Sequence, residues 1–432
     1  MMFKPLLLPA QPYGTDMDSS KSSTHRLCHF FSASLLAVSA SANALTQDIT
    51  ARFVPDPASP MKNEFVNTTP QSGVCEWHAP AIPHCLAEGI FSIRSNDFHA
   101  ASNATIRANH VDPRQGAMWK VPSEWRDLQV THRETGEVET VQVRIAGIGH
   151  RWDLSNPPGV GAWQLPNVNW ASQWREAPSP CKGINYIAAA NSFALFFWIV
   201  PENAGVCSRT PGTDIPTFSY SNIEYAYAIK TPRPLTMSTG QYTGSLSYSM
   251  GPGGDFDFGD VMIPRDNQFT FNFTLDVQHS LDVKIPPGGN RVELVPQGGW
   301  QAWLNHGQKP VRLFRDQTFN ISSSSRFKMR LECEYSMAGK TCALLEPTSG
   351  HGVPLNVSVT LPNGLEDANG PVNRRPLLID GSGTELFQPA FYVDRKPGTL
   401  HFEVAREHVE HMLTGAERTY SGNVTVIWDS EV

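Results

Sequence analysis

The sequence lacks an excess of positive charge. Its 432 residues carry 34 Lys and Arg against 41 Asp and Glu, which gives a formal net charge of -7. No long run of Lys and Arg creates a basic patch locally. Proteins that bind phosphate backbones rely on such patches. We therefore expect no nucleic-acid partner.

Long apolar runs are also missing beyond the N-terminal region. A membrane-spanning helix needs roughly 20 consecutive apolar residues. The best later run, Phe193-Ala-Leu-Phe-Phe-Trp-Ile-Val200, has only the length of a β-strand. We expect the mature chain to be soluble.

The N-terminal region has the pattern of an export signal. A basic segment ending at Arg26 precedes the apolar run of residues 27–40, and Ala42-Asn43-Ala44 has the small-x-small form that signal peptidase recognises. This pattern predicts a signal peptide over residues 1–44, cleaved after Ala44. Met17 is the alternative start, because the stretch before it makes a poor n-region.

The cysteines lack the spacing of a metal site, since there is no C-x-x-C pair and no tetrahedral Cys/His arrangement. Removal of Cys28 with the signal leaves an even number of cysteines in an exported chain, which indicates a disulfide framework. The remaining cysteines form three local couples, although the sequence leaves other pairings open. The couples are Cys75 with Cys85, Cys181 with Cys207, and Cys333 with Cys342.

Signatures of catalysis are absent from the sequence. We find no nucleophile elbow, phosphate-binding loop or metal-binding helix, and His408-Val-Glu-His411 has no third ligand in view. We therefore expect no enzyme activity, no catalytic residue, no cofactor and no metal. A secreted carbohydrate-active protein stays an alternative, because the acidic pair that it would need is easily missed in a sequence.

The dominant pattern is an alternation of apolar and polar residues, typical of half-buried strands. With 33 Gly and 34 Pro, turn clusters separate these segments, and the length favours more than one core. The pattern predicts an all-β protein of sandwich type, with one short helix in its C-terminal half at about residues 404–413. The alternating segments are Val141-Gln-Val-Arg-Ile145, Phe269-Thr-Phe-Asn-Phe273, Leu281-Asp-Val-Lys-Ile285, Val357-Ser-Val-Thr-Leu361 and Val424-Thr-Val426.

A strand pattern that occurs twice in the sequence suggests two related units. The strand pattern containing Tyr242 and Gly244 recurs with the same spacing at Tyr420 and Gly422. The alternative is a coincidence between two short β patterns. The second copy lies close to the C-terminus, so we expect its outer edge to accept a strand from a partner. Coverage of that edge by an earlier segment is the other possibility.

The C-terminal third resembles the pilin domain of tip adhesins from the alternate chaperone–usher (class 5) pili, including the CblD-like pilus biogenesis initiators. The matching order runs from residue 268 to residue 432. The matching stretches are Phe271-Asn-Phe-Thr-Leu-Asp276, Leu281-Asp-Val-Lys-Ile-Pro286, Val292-Glu-Leu-Val-Pro-Gln-Gly-Gly299, Lys396-Pro-Gly-Thr-Leu-His-Phe-Glu-Val404 and Tyr420-Ser-Gly-Asn-Val-Thr-Val426.

The resemblance implies two immunoglobulin-like β-sandwich domains. Residues 45–276 would form an adhesin domain and residues 277–432 a pilin domain, joined by a very short linker near residues 276–280. The pilin domain would lack its last strand. Its implied partners are a periplasmic pilus chaperone, an outer-membrane usher and the N-terminal donor strand of the major pilin. The implied location is the fimbrium tip, reached by export through the periplasm.

The resemblance also implies site residues. The carboxylate of Val432 would be the end that the chaperone anchors. The donor-strand groove would be lined by Leu281, Val283, Ile285, Tyr420, Val424, Val426 and Trp428.

A loop-rich segment before Cys181 is the candidate ligand site, because exposed indoles offer flat faces to sugar rings and guanidinium groups pair with oxygens. The alternative is that these tryptophans belong to the core. Members of the resembled family carry receptor-binding arginines at residues 69–75 and 251–259, where this chain has none. The candidate residues are Arg151, Trp152, Trp163, Trp170, Trp174 and Arg175.

The resemblance therefore implies a pilus tip subunit that initiates fimbrial assembly. It would also mediate cell adhesion to a host or surface receptor, for which a glycan is the expected class, and so contribute to virulence. One alternative is a tip pilin that initiates assembly without binding a receptor. A second is the secreted carbohydrate-active protein.

Overall fold

The computed structural model describes residues 44–154, 162–163, 170–190, 192–414 and 418–430. The predicted signal peptide before Ala44 and the predicted chaperone anchor Val432 lie outside these residues. Strands dominate the described chain and its helices are short, so the predicted all-β class is confirmed. Within these ranges, no helix is both long enough and apolar enough to cross a membrane.

Residues 44–277, called here the front region, contain fifteen strands, three α-helices and two 3-10 helices among the described residues. The α-helices are α1 Val74–Trp77, α2 Ile82–Glu88 and α3 Trp170–Glu176, and the 3-10 helices are Pro113–Gln115 and Pro234–Thr236. The strands are β1 Ala44–Phe53, β2 Val66–Asn67, β3 Phe91–Ser95, β4 Ala100–Ser102, β5 Ala117–Lys120, β6 Arg126–His132, β7 Val138–Asp153, β8 Lys182–Ala190, β9 Phe193–Ile199, β10 Val206–Arg209, β11 Ser219–Tyr220, β12 Ile223–Lys230, β13 Gly240–Ser249, β14 Met262–Pro264 and β15 Gln268–Val277.

Residues 281–430, called here the back region, hold the remaining elements. The helices are α4 Gln301–His306 and α5 Arg406–Met412. The strands are β16 Leu281–Lys284, β17 Val295–Pro296, β18 Leu313–Ser323, β19 Phe327–Cys333, β20 Ser336–Met337, β21 Thr341–Leu345, β22 Gly352–Thr360, β23 Leu365–Asp367, β24 Gly370–Pro371, β25 Arg375–Leu377, β26 Gln388–Pro389, β27 Val393–Val404 and β28 Val424–Ser430.

Strand β15 shows how alternation builds the front core. Every second side chain, from Phe269 to Val277, is buried, as expected for a strand with one face on the core. Strand β13 pairs with it in antiparallel orientation, and β1 pairs with its other edge in parallel orientation. The edge of β13 that faces β15 is therefore fully covered by the chain itself.

The back region forms a second, separate core between two sheets. The larger sheet has eight strands, with the main path β16-β18-β27-β22-β21-β20, while β17 pairs with β18 and β25 with β22. The smaller sheet pairs β19 with β28. In the seven-stranded immunoglobulin arrangement, strands A, B, E and D form one sheet and C, F and G the other. The first four strands of the main path, β16-β18-β27-β22, match A-B-E-D, and β19 and β28 match C and F. Among the described residues, no strand lies at the position of G.

Local predictions are confirmed in several places. The three cysteine couples form disulfides as predicted, namely Cys75–Cys85, Cys181–Cys207 and Cys333–Cys342. Helix α5 lies at the predicted helical segment. Helix α4 was not predicted, because its six residues are too few to show a clear helical period.

Candidate functional site

Strand β28 forms one wall of an open groove. Val424, Val426 and Trp428 alternate along it and are half-buried against the back core. The strand pairs with β19, with Val426 opposite Leu331 and Trp428 opposite Met329. No strand among the described residues pairs with its other edge. The backbone groups along that edge are available to a further strand.

Strand β16 forms the opposite wall. It pairs with β18 only, and Leu281 and Val283 are half-buried while Asp282 and Lys284 are exposed. Ile285, just beyond the strand, is 49% exposed. Apolar side chains on both walls thus lie at the surface of a core that they do not close.

The groove between these walls has a volume of about 1000 Å³. Trp428 lies within it, its ring centroid 4.9 Å from that of Phe319 and 5.8 Å from that of Phe327. Apolar and polar groups contribute about equally to its lining, and its apolar part fits a surface that becomes buried in a complex. Its apolar members are Val283, Ile285, Val292, Leu294, Trp300, Leu313, Phe319, Leu344, Leu355, Leu400, Phe402, Met412, Leu413, Val424, Val426 and Trp428.

Most of the predicted groove residues come together in this one place. Val283, Ile285, Tyr420, Val424, Val426 and Trp428 line the groove. Leu281 packs against the same back core without contributing to the lining. The Tyr420 hydroxyl lies 2.9 Å from Nδ1 of His351.

Sequence reasoning missed part of the lining. Met412 and Leu413 come from the end of α5, and Val292, Leu294 and Trp300 come from the segment between β16 and β18. The apolar side of the predicted helix was a signal for the first pair. The segment before β18 has no regular period, so its contribution depends on the tertiary fold.

The proposed exposure of the front-region tryptophans is wrong for three of the candidates. Trp152, Trp163 and Trp174 are 1%, 2% and 0% exposed. Their rings pack against one another, with centroids 5.0 Å apart for Trp163 and Trp174 and 5.4 Å for Trp152 and Trp174. Buried aromatic clusters of this kind contribute to the core through area and ring contacts. These side chains offer no face to a sugar.

The other candidates are Arg151, Arg175 and Trp170. Arg151 is held by Asp153 at 2.8 Å, and its Cζ lies 4.2 Å from the centroid of the Phe193 ring. Arg175 is exposed at the end of α3. The side chain of Trp170 lies outside the described residues.

Among the described residues, no group of three or more His, Cys, Asp and Glu side chains is arranged to hold a metal ion. The candidate site is the groove between β16 and β28.

No family model and no curated protein matches the chain. Among solved structures, it is similar to CfaE, the adhesive subunit of the CFA/I fimbria of enterotoxigenic Escherichia coli, at 13% identity and a TM-score of 0.23, over 90% of this chain and 95% of that one. A chaperone–tip adhesin complex of CFA/I fimbriae gives 12% identity and a TM-score of 0.25, over 90% and 97%.

The CsuC–CsuE chaperone–tip adhesion subunit complex from the archaic Csu pili of Acinetobacter baumannii is also similar. It gives 11% identity and a TM-score of 0.20, over 90% of this chain and 98% of that one. TM-scores this low carry no function over to this chain.

Proposed function

We propose that the chain is a pilus tip subunit of the chaperone–usher type. In this proposal, the groove between β16 and β28 accepts a donated β-strand and so starts fimbrial assembly, while the front region adheres to a surface receptor. The observation that supports it is the open edge of β28. This edge lies beside half-buried apolar side chains in a sandwich that fills six of the seven immunoglobulin strand positions.

Strand donation suits the groove physically. A strand added to β28 would pair with the free backbone groups of its edge and cover the apolar lining. Each apolar side chain that becomes fully buried contributes about 1.5–3 kcal/mol relative to full exposure. By the sequence resemblance, the donors are the periplasmic chaperone in transit and then the N-terminal extension of the major pilin at the outer-membrane usher.

The front region supplies a template for the donated strand. In the β13–β15 pair, Phe273 lies opposite Gly244, Phe271 opposite Leu246 and Phe269 opposite Tyr248. The corresponding positions of the back copy are Gly422, Val424 and Val426. We expect a donor in antiparallel orientation with large apolar residues at alternate positions.

This template gives a direct experiment. The chain from residue 45 to residue 432 is unfolded thermally with and without a peptide of residues 268–277. The control peptide carries Ser at positions 269, 271, 273 and 275. We expect the first peptide to raise the Tm by about 5 °C or more, because it binds only the folded groove. No rise with this peptide or with the cognate pilin peptide would contradict strand acceptance.

A pair of variants tests whether the stabilisation arises in the groove. Val426→Asp places a carboxylate among the apolar lining and should abolish the rise in Tm. Ile427→Asp adds the same charge to the opposite face of β28, outside the groove lining, and should preserve it. Equal behaviour of the two variants would place peptide binding elsewhere.

A further inference from the structure

A disulfide-linked helical hairpin covers the outer face of the front sheet. It consists of α1 and α2, joined by the bond between Cys75 and Cys85. The backbone N–H of Val74 donates to the Glu224 carboxylate, and that of Cys75 donates to Ser92 Oγ at 2.9 Å. The hairpin is thus fixed to β3 and β12.

Trp77 stands at the surface of this hairpin and is 50% exposed. Its ring centroid lies 5.4 Å from that of Tyr186 at an interplanar angle of 83°, and 5.9 Å from that of His78. The Arg94 guanidinium carbon lies 5.4 Å from the same centroid. These contacts hold the indole in one orientation while half of its surface stays open.

The position of Arg94 is itself fixed. Its Nε donates to Glu224 at 2.7 Å, and the Glu224 side chain is only 3% exposed. Burial raises the Glu224 pKa, an effect that the positive charge of Arg94 opposes. The pair is close to neutral in charge, and the exposed Glu76 adds a negative charge on α1. This balance disfavours anionic ligands.

We propose that Trp77, with Tyr186, His78 and Arg94 around it, is a binding platform for a neutral saccharide. The inference rests on the adhesion part of the proposed function. A flat exposed ring with polar groups at its edge stacks on the apolar face of a sugar and bonds its hydroxyls. Because the ring is held before binding, little conformational entropy is lost. Unlike the buried Trp152, Trp163 and Trp174, this indole is accessible.

The test uses the chain from residue 45 to residue 432 on an array of neutral and sialylated oligosaccharides. We expect binding to neutral sugars, a loss of about tenfold or more for Trp77→Ala, and partial retention for Trp77→Phe, which keeps an aromatic face. Leu86→Ala is the matched control, because Leu86 is exposed on the same hairpin and should leave binding unchanged. Thermal unfolding of each variant checks that the fold is intact.

The outcomes separate this inference from the proposed function. Sugar binding that Trp77→Ala leaves intact would overturn the platform but preserve adhesion. Absence of binding to every sugar would overturn both the platform and glycan adhesion, while strand acceptance would still be decided by the peptide experiment. Preference for sialylated sugars would overturn the assignment to neutral ligands.

Discussion

Strand β13 and the segment that leads into β28 carry the same Tyr-x-Gly pattern but have different neighbours. In the front region, β15 and then β1 lie beyond β13, and Tyr242 and Tyr248 are fully buried. In the back region, no described strand lies beyond β28, and Tyr420 and Val426 are only half-buried. The comparison teaches that burial of such a strand depends on its neighbour as much as on its own sequence.

The two glycines, Gly244 and Gly422, each lie close to a neighbouring backbone. A Cβ at Gly244 would lie 2.2 Å from the carbonyl oxygen of Gln129, and a Cβ at Gly422 would lie 3.0 Å from that of Ala343. Both glycines allow a neighbouring backbone to approach closely. Gly244 lies within β13 and faces β6, whereas Gly422 precedes β28 and faces β21.

The largest expected loss of stability comes from a substitution in β15, the strand that covers the edge of β13. Phe271 is fully buried in β15, 4.7 Å from Phe269 between ring centroids. Phe271→Ala should destabilise the chain by about 3–5 kcal/mol, because it leaves a cavity in the front core. Val426→Ala, measured without a donor strand, should cost much less because Val426 is half-exposed.

Chemical denaturation of both variants measures this difference, with the exposed-site variant Ser247→Ala as the control. Similar losses of stability for Phe271→Ala and Val426→Ala would mean that the edge of β28 is already covered in solution.

A smaller difference in stability is expected between alanine substitutions at Gly244 and Gly422. Gly244→Ala forces a Cβ against backbone, so we expect a loss of about 1–3 kcal/mol. Gly422→Ala needs a shift of only a few tenths of an ångström and should cost less. Unfolding curves of the two variants make the comparison, and a larger loss for Gly422→Ala would contradict the described packing around β28.

The smallest expected effect is a pH dependence of stability that arises from Glu137. The Tyr242 hydroxyl donates to the Glu137 carboxylate at 2.5 Å. Burial alone would raise the Glu137 pKa, but hydrogen bonds from Tyr242 and Ser238 outweigh it, so this pKa is lowered. Since the unfolded chain then binds the proton more readily, Glu137 stabilises the fold at neutral pH. That contribution is lost as the pH falls through the acid range of carboxyl groups.

Tyr242→Phe removes one of the bonds that lower the Glu137 pKa. Its loss of stability relative to the unchanged chain should be greatest at neutral pH and shrink as the pH falls below about 4. Thermal unfolding across this range measures the difference, and Tyr420→Phe is the matched variant in the back region. A difference that grows on acidification would contradict the assigned bond.

Some features were readable from local sequence. The alternation at residues 269–277 predicted a strand because side chains on a strand point to opposite faces in turn. The couple of Cys75 and Cys85 was readable because its members are close along the chain. The opposite walls of the groove, at Val283 and Val426, were predicted through the resemblance of ordered segments.

Other features were decided by the tertiary structure. Trp77 and Trp174 each lie between two polar residues in the sequence. Nevertheless, Trp77 is half exposed, whereas Trp174 is fully buried in an aromatic cluster. The groove also takes Met412 and Trp300 from segments far apart in sequence. Periodicity is a property of the backbone and can be read locally. Burial depends on which distant strands and loops meet, so only the assembled fold determines it.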